Sequence, residues 1–375
     1  MSGGTIEEPD DATTFTSPVV VAPGRPATAL RALAGLTAAG LWIGCLPTTV
    51  ERLRGGTGGP YEALLAALVP WTLPVLALAA GLALAACGRR PLRPRPEGRR
   101  RRSPLSAVLV AVPVISLVLH SVWVAPSVLP DLGRRSASAA PAGGESLGSQ
   151  RLRVLALNLE YGEADAATVV DVVRRERVDV LLAVELTPQA VTRLRLAGLE
   201  GLLPSAVLAP SGGAAGSGIW SRYPMTPLDP VGGTTFRAPR ARLALSPGRT
   251  VVVTAAHPSP PLEAARWQRD HALITDAVRS VGAEPQVVGG DFNATRDHAP
   301  FRALLDAGLV DAADVAGVTG GAWPGLTWPA DRPFPPVMRL DHVLVSAAGL
   351  GASDAATVTV PGTDHRGVLT TVTLR

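Results

Sequence analysis

A pair of polar residues that follows a buried apolar run is the first sign of chemistry in this sequence. The run that begins at Val287 stops at two glycines and is followed by Asp291 and Asn293, two residues apart. Residues i and i+2 of a strand leave it on the same side, so the carboxylate and the amide can point into one cleft. The glycines allow a ligand or a neighbouring backbone to come close. A strand that ends in an Asx turn explains the same residues, so both interpretations stay open at this point.

The elements that would position this pair are short apolar runs separated by loops and a few helices. Strands are predicted at 154–157, 178–184, 218–220, 241–245, 250–256, 286–288, 340–345 and 367–373, and helices at 166–177 and 263–280. Because strands outnumber helices, we expect layered sheets with helices outside. Polar residues recur at the ends of these strands, namely Asn158, Glu160, Glu185, His257, Asp291, Asn293, Asp341, His342, Asp364 and His365. Carboxylates and amides without cysteine are typical of a site for a hard cation such as Mg²⁺.

Seven segments, in this order, resemble the endonuclease/exonuclease/phosphatase superfamily, which includes DNase I-like nucleases. They are residues 155–158, 179–185, 218–224, 254–258, 289–293, 339–345 and 363–366. The resemblance implies a four-layered α/β sandwich, with two central sheets and the site at one edge. It also implies in-line attack of water on a phosphoester without a covalent intermediate.

The resemblance assigns a role to nine of the ten strand-end residues. Glu185, Asn158 and Glu160, with Asp364 close by, would hold Mg²⁺, with Mn²⁺ as the alternative. Asp341 would orient His365, which would grip the phosphate or help to activate water. Asp291 would position or deprotonate the water, Asn293 would hold a phosphoryl oxygen, and His257 would be a second donor to the developing charge.

Four further residues are candidates for substrate contact, each with a plainer alternative. Arg237 and Arg240 flank a proline and would reach phosphate, or else are solvated. Trp328 either stacks on a base or packs beside the site. His342 either touches substrate or belongs to a polar pair at a strand edge. One departure from the family pattern also bears on substrate contact, because Val184 stands where relatives often have glutamine.

The first third of the chain has a different character, with three apolar windows at 30–46, 63–87 and 105–129. Each approaches the roughly 20 residues that cross a bilayer. A buried helix or a signal sequence is the alternative for any one window. A cleavable signal is disfavoured, because a polar segment precedes the first apolar window and two further apolar windows follow it. We therefore predict a disordered cytoplasmic N-terminus at 1–28, a membrane region with three transmembrane helices at 29–130, a flexible linker at 131–150 and the catalytic domain at 151–375.

Charge predicts which way this region is inserted. Residues 88–102 hold eight arginines and one glutamate, which favours a cytoplasmic loop over a nucleic-acid-binding segment. Three spans then place the catalytic domain outside the cell membrane. Residues 151–375 contain 21 arginines and 22 acidic residues, a net charge of −1, so the +4 of the whole chain comes from the membrane half. The catalytic domain therefore lacks the excess positive charge of a dedicated nucleic-acid binder.

The sequence thus predicts a membrane-anchored, outward-facing, metal-dependent phosphoesterase. Its substrate would be a nucleic acid, a phospholipid or an inositol phosphate, its other partner is the lipid bilayer, and no protein partner is evident. The alternative is a non-catalytic membrane-tethered module that keeps the fold as a binding surface. A transporter is disfavoured because the windows contain almost no charge. Cys45 and Cys87 both lie in or beside apolar windows, so the catalytic domain has no disulfide.

Overall fold

The computed structural model describes residues 25–87, 104–129, 150–246, 248–316 and 325–374. The predictions for residues 1–24, for the arginine-rich loop at 88–102 and for the linker up to residue 149 lie outside the described residues.

Two six-stranded mixed sheets form the centre of the C-terminal domain. Their strands are β1 (Arg151–Asn158), β2 (Val180–Val184), β3 (Ser205–Ala209), β4 (Ser217–Ser221), β5 (Met225–Leu228), β6 (Arg240–Ser246), β7 (Arg249–Ala255), β8 (Gln286–Asp291), β9 (Leu309–Asp311), β10 (Asp341–Ser346), β11 (Leu350–Thr359) and β12 (Arg366–Leu374). The strand order is β11-β12-β1-β2-β4-β3 in the first sheet and β5-β6-β7-β8-β10-β9 in the second. Each sheet has one parallel pair, β1 with β2 and β7 with β8, and the other pairs are antiparallel.

Ten α-helices are described. The four in the N-terminal region are α1 (Arg25–Arg54), α2 (Pro60–Ala67), α3 (Val69–Cys87) and α4 (Pro104–Val128). The six in the C-terminal domain are α5 (Ala166–Arg175), α6 (Pro188–Leu196), α7 (Leu199–Leu202), α8 (Ala264–Ser280), α9 (Ala299–Asp306) and α10 (Ala312–Ala316). Helix α5 begins where the Asp165 side chain accepts a hydrogen bond from the backbone N–H of Thr168, which is an N-cap.

Strand alternation produces the predicted layers. Val287 of β8 packs in the core between the two sheets, whereas its neighbour Val288 packs on the outer face of the second sheet, together with Trp267 of α8 and Phe301 of α9. A third apolar cluster lies under α5 and α6 on the outer face of the first sheet. Because successive side chains of a strand point to opposite faces, near-continuous apolar runs supply both cores at once. The predicted four-layered α/β sandwich is therefore confirmed.

Three helices are long and apolar enough to cross a membrane, at Thr28–Arg54, Val69–Cys87 and Ser106–Val128. The second predicted window, 63–87, differs from the structure because α2 and α3 divide it. The first helix extends beyond the first predicted window, 30–46, because α1 continues to Arg54. Polar groups join these helices: His120 of α4 is within hydrogen-bond distance of Thr49 of α1 and Thr72 of α3.

Candidate active site

One edge of the sandwich collects the polar strand ends. Strand β1 ends at Asn158, Glu185 directly follows β2, and β8 ends at Asp291. The antiparallel strand β10 begins at this edge with Asp341, which is paired in register with Asp291. His365 lies just before β12, which pairs with β1. The carboxyl ends of parallel strands and the first residues of their antiparallel neighbours meet here, so residues far apart in sequence share one cluster.

The glycines before Asp291 make this arrangement possible. Gly290 has φ +146°, and a Cβ atom there would lie 2.1 Å from the backbone oxygen of Ala256. Of the two predicted reasons for the double glycine, a neighbouring backbone is thus the one present at Gly290. After the strand, the backbone N–H of Asn293 donates to Asp291 Oδ1 at 2.7 Å, which is an Asx turn. The turn and the polar cluster therefore occur together.

A short contact joins the side chains of His365 and Asp341. Nδ1 of His365 donates to Asp341 Oδ2 at 2.7 Å, which leaves Nε2 3.6 Å from both Asp291 Oδ2 and Asp364 Oδ1. Asp341 is fully buried and Asp291 is 2% exposed. Burial disfavours a charged imidazole, but Asp341 and Asp291 outweigh it and raise the pKa of His365 to about 10. The ring is therefore positively charged at neutral pH.

The pKa of the Asp291 carboxyl is raised above its usual range, chiefly because burial disfavours its charged form. The charge on His365 opposes this rise, and the nearby Asp341 adds to it. Asp291 Oδ2 also lies 3.7 Å from Nε2 of His257, a ring that is 3% exposed and packs against Phe236. Asp291 is thus a buried carboxylate with a raised proton affinity, as a general base requires.

Asn158 and Glu185 lie on the other side of Asp291. The Nδ2 group of Asn158 donates to Glu185 Oε1 at 3.0 Å and to Asp291 Oδ2 at 3.1 Å. Its Oδ1 atom accepts from the backbone N–H of Glu160 at 2.8 Å. In this orientation Asn158 links two carboxylates through its amide nitrogen, and its oxygen, the atom that would ligate a metal, is already engaged.

Carboxylates crowd the mouth of the cluster. The pKa of Glu160 is raised by partial burial, by Asp364, and by Asp331 and Glu185 further away. Glu160 Oε2 accepts from the backbone N–H of Asp364 at 2.6 Å. Glu185, Asp364 and Glu160 therefore offer hard oxygen atoms in a region that repels further negative charge, and a divalent cation would relieve this repulsion. The predicted metal ligands fit Mg²⁺ in their chemistry.

Among the described residues, Asp291, Asp341 and His365 are the one group of three whose potential ligand atoms lie within 4.8 Å of one another. A cation there would need an unprotonated nitrogen on His365, and the raised pKa of this histidine opposes that. We therefore assign these three to a carboxylate–imidazole network, and the cation site at Glu185, Glu160, Asp364 and Asn158 stays a prediction.

Backbone strain marks the same edge. Among described residues, six that are not glycine have positive φ, and four of them belong to the site: Glu160 (44°), Tyr161 (53°), Glu185 (56°) and Asn293 (47°). Such conformations persist only where the surroundings impose them, and they concentrate at functional sites. The backbone N–H of Tyr161 donates to Glu185 Oε2 at 2.8 Å, so the strained turn at 160–161 also holds the candidate ligand in place.

Sequence comparison identifies the family. The profile of the Endonuclease/Exonuclease/phosphatase family matches residues 155–365. The chain belongs to this family. No curated protein sequence matches the chain.

The solved structures to which the chain is similar are distant from it in sequence. A Bacteroides vulgatus endonuclease/exonuclease/phosphatase is 17% identical, with a TM-score of 0.49 over 60% of this chain and 100% of that one. A humanized TDP2 from D. rerio is 16% identical, with a TM-score of 0.49 over 59% of this chain and 98% of that one. A D. rerio TDP2 complexed with single strand DNA product is also 16% identical, with a TM-score of 0.48 over 60% of this chain and 99% of that one.

One predicted substrate-contact residue of this endonuclease/exonuclease/phosphatase domain, His342, lies away from the cluster. His342 follows Asp341 on β10 and therefore points to the opposite face of the sheet. There Nδ1 of His342 contacts Asp311 Oδ2 at 2.7 Å, and the ring packs against Phe301. With the side chain 1% exposed, the location gives no support to the prediction that His342 binds substrate.

The remaining predicted residues lie around the family site. Nδ2 of Asn293 donates to Pro258 O at 3.1 Å, so its predicted grip on a phosphoryl oxygen would require a change of partner. Nε1 of Trp328 donates to Asp364 Oδ2 at 2.9 Å, so the ring lies beside the site and also holds one of its carboxylates. Arg237 is exposed and Arg240 is half-buried, and both follow Phe236, whose ring packs against His257. The pKa of Arg240 is lowered, chiefly by burial, and its Nε has no hydrogen-bond partner among the described residues.

Thr363 is a buried residue that the sequence argument missed. Its hydroxyl donates to Asn158 O at 2.9 Å and accepts from the backbone N–H of His365 at 3.1 Å. Thr363 thus ties the histidine loop to the end of β1. The available signal was its place directly before Asp364 and His365 in one of the matching segments.

Proposed function

We propose that this protein is a membrane-anchored, divalent-metal-dependent hydrolase of phosphoester bonds, with its catalytic domain outside the cell. Membership of the family supports phosphoester hydrolysis. The observation that carries the proposal is the buried contact of His365 with Asp341, beside a second carboxylate on Asp291. A module that only bound ligands would not need a charged imidazole held between buried carboxylates.

His365 would grip the phosphate rather than remove a proton. Asp341 accepts from its Nδ1, so its Nε2 is the atom available to substrate. Because the imidazole is charged at neutral pH, Nε2–H would donate a charge-assisted hydrogen bond to a phosphoryl oxygen. Asp341 is then a positioning residue that acts through His365.

Asp291 would position the attacking water and take its proton. Asn158 and the turn at Asn293 fix the orientation of the Asp291 carboxylate through two hydrogen bonds. Its raised pKa improves its strength as a base. His257, next to Asp291 and 4.0 Å from Glu185 Oε1, would donate to the developing charge.

Glu185, Glu160 and Asp364 would hold the cation. When bound, a divalent ion neutralises the phosphate and stabilises the leaving oxygen. Tyr161 and Trp328 hold these carboxylates in place through hydrogen bonds.

The proposed orientation rests on the arginine-rich loop and on the three spans. A reporter that is active only outside the cytoplasm, fused after Gln150, should be active. Activity of a strictly cytoplasmic reporter at that position would reverse the orientation.

The hydrolase proposal is tested with the full-length chain in detergent. Hydrolysis of bis(p-nitrophenyl) phosphate should require Mg²⁺ or Mn²⁺ and stop when EDTA is added. Replacing His365 with alanine or Asp291 with asparagine should lower kcat/KM by about 10²- to 10⁴-fold, the usual contribution of a positioned acid or base. If the wild type and both variants are equally inert on this ester, DNA, RNA, phospholipid and inositol phosphates, the chain is a binding module instead.

A further inference from the structure

The catalytic domain is docked on one end of the membrane helices. Nε of Arg52, near the end of α1, lies 2.7 Å from Asp297 Oδ1, and these side chains are only 13% and 7% exposed. The backbone N–H of Ala299 donates to Gly55 O at 2.9 Å. A Cβ atom on Gly55 would lie 2.7 Å from that of Ala299, so the two backbones touch. A buried ion pair beside a close backbone contact holds the domain in one orientation relative to the helices, because breaking the pair would leave a buried charge without a partner.

A second set of hydrogen bonds joins the same end of the helices to the domain. Nε2 of His298 donates to Ala63 O at 2.8 Å, and Nε2 of Gln268, in α8, donates to Thr57 O at 2.8 Å. All these partners lie between the end of α1 and the end of α2, on the same side of the spans as the beginning of α3. The domain is therefore fixed relative to the helices.

A short path leads from a membrane helix to the active site. Nε1 of Trp71 donates to Val337 O at 2.9 Å, the backbone N–H of Val337 donates to Trp328 O at 2.8 Å, and Nε1 of Trp328 donates to Asp364 Oδ2. Trp71 is the third residue of α3 and is 42% exposed. Tryptophan at the end of a span lies at the level of the lipid headgroups. Three hydrogen bonds thus separate that level from a candidate metal ligand.

Exposed apolar side chains lie on the turn and on the loops that lead from the same site. In the described part of the catalytic domain the large ones are Tyr161, Leu196, Leu262 and Phe334. Tyr161 belongs to the strained turn beside Glu185. Leu262 and Phe334 lie on two proline-rich loops, residues 258–263 after His257 and residues 329–337 after Trp328. Tyr161 thus belongs to the site's own turn, Leu262 and Phe334 lie on loops that begin at residues of the site, and the loop with Phe334 also contacts Trp71.

We propose that the substrate is a phosphoester in the headgroup of a membrane lipid, taken from the bilayer that holds the protein. This inference rests on the proposed hydrolase function. The headgroup layer is about 5–7 Å thick on each side of the hydrocarbon core, so docking sets the site at the depth of lipid phosphates. Phe334 and Leu262 enter the boundary between headgroups and acyl chains. The domain's net charge of −1 disfavours a polyanionic nucleic acid as substrate.

Phe334→Asp tests the proposal in the full chain, reconstituted in vesicles of phosphatidylcholine and phosphatidylglycerol with Mg²⁺. Release of headgroup from these lipids should fall about tenfold, while hydrolysis of soluble bis(p-nitrophenyl) phosphate stays unchanged. Leu196→Asp is the matched control. Leu196 is 82% exposed, but it lies on α6, which covers the outer face of the first sheet. That variant should match the wild type on both substrates.

The outcomes separate this proposal from the hydrolase itself. Hydrolysis of the soluble ester without headgroup release by the wild type would overturn the lipid substrate and leave the hydrolase intact. An equal effect of Phe334→Asp on both substrates would also overturn it. Inertness on both substrates would remove the hydrolase and this inference together.

A second measurement does not depend on activity. In a full chain whose Cys45 and Cys87 are replaced by alanine, an environment-sensitive fluorophore is attached at Phe334→Cys or at Leu196→Cys. Brominated lipids should quench the label at 334 and leave the label at 196 unaffected. Equal quenching at the two positions would overturn the contact of this loop with the bilayer.

Discussion

At the scale of single residues, two adjacent side chains of β10 take part in histidine–carboxylate pairs with different surroundings. Asp341 contacts His365 and His342 contacts Asp311, both at 2.7 Å. The first pair opens toward Asp291 and Asp364. The second is enclosed, and Arg339 also contacts Asp311 at 3.2 Å, so that His342 and Arg339 lower the pKa of Asp311 against the effect of burial. Strand alternation alone separates a reactive pair from a structural one.

The first pair should behave as a unit in catalysis. We expect Asp341→Asn and His365→Ala each to lower kcat/KM by about 10²-fold or more, and the double variant to lose little beyond the worse single one. The reason is that Asp341 acts only through His365. The measurement is kcat/KM of all four proteins on the soluble ester.

The second pair, His342 with Asp311, provides the control for this comparison of single and double variants. His342→Gln should lower the free energy of unfolding by about 2 kcal/mol, through lost buried hydrogen bonds, and leave kcat/KM of the folded protein unchanged. Multiplicative losses in the first pair, or a catalytic loss in His342→Gln, would contradict the assignment of the two pairs.

At the scale of elements, central strands were predictable and edge elements were not. The buried runs of β1, β2, β7, β8 and β10 predicted their strands from apolar content alone. Strands β5 and β11 escaped notice because each lies at the edge of its sheet, and β11 has a mostly half-exposed pattern. An edge strand meets solvent on one side and carries polar residues or proline, which weakens the pattern.

Strand β8 provides a test at this scale. Gly290→Ala places a Cβ atom against the Ala256 carbonyl in a backbone region that side chains rarely adopt, so we expect a loss of about 2–4 kcal/mol in the free energy of unfolding. Denaturant unfolding of the detergent-solubilised protein measures it. Gly212→Ala is the control, because no heavy atom lies within 4 Å of its Cβ position and its φ is −68°. Equal stability of the two variants would mean that the close approach at Gly290 is absent.

At the scale of the whole molecule, a few buried polar contacts join the C-terminal domain to the apolar N-terminal helices. Burial raises the pKa of Asp297, and Arg52 opposes that shift. His298 accepts from the backbone N–H of Thr295 at Nδ1, at 2.8 Å, so its proton resides on Nε2 and is donated to Ala63 O. The contact therefore requires a neutral imidazole.

Two arginines near the end of α1 differ in what they contribute to this interface. Arg52→Leu leaves Asp297 buried without its partner, and we expect a loss of about 3 kcal/mol in the free energy of unfolding. Arg54→Leu is the matched control, because its side chain is 73% exposed, and its loss should be near zero. Similar thermal stability of the two variants would show that the Arg52–Asp297 pair does not hold the domain.

Acid should destabilise the protein, in part by weakening the same interface. Burial lowers the pKa of His298 to about 4, and that of His271 also to about 4, from an ordinary value of 6.5. Each group therefore contributes stability that is complete above about pH 6.5 and is lost as pH falls toward 4, up to about 3 kcal/mol per histidine. The midpoint temperature of unfolding should decrease as pH is lowered from 6.5 to 4. The decrease should be less steep in His298→Gln. A slope that is the same in this variant and the wild type would contradict the role of His298.

The sequence by itself determined the strands with polar ends, the family and the three apolar helices, because these depend on local patterns of apolar and polar residues. It also indicated the members of the site, since seven short segments carry them. Only the tertiary structure decided that His342 belongs to a different pair, that Trp328 holds Asp364, and that Arg52 meets Asp297 across 245 positions of the chain. Such contacts arise from the packing of distant side chains, and no local spacing of residues encodes them.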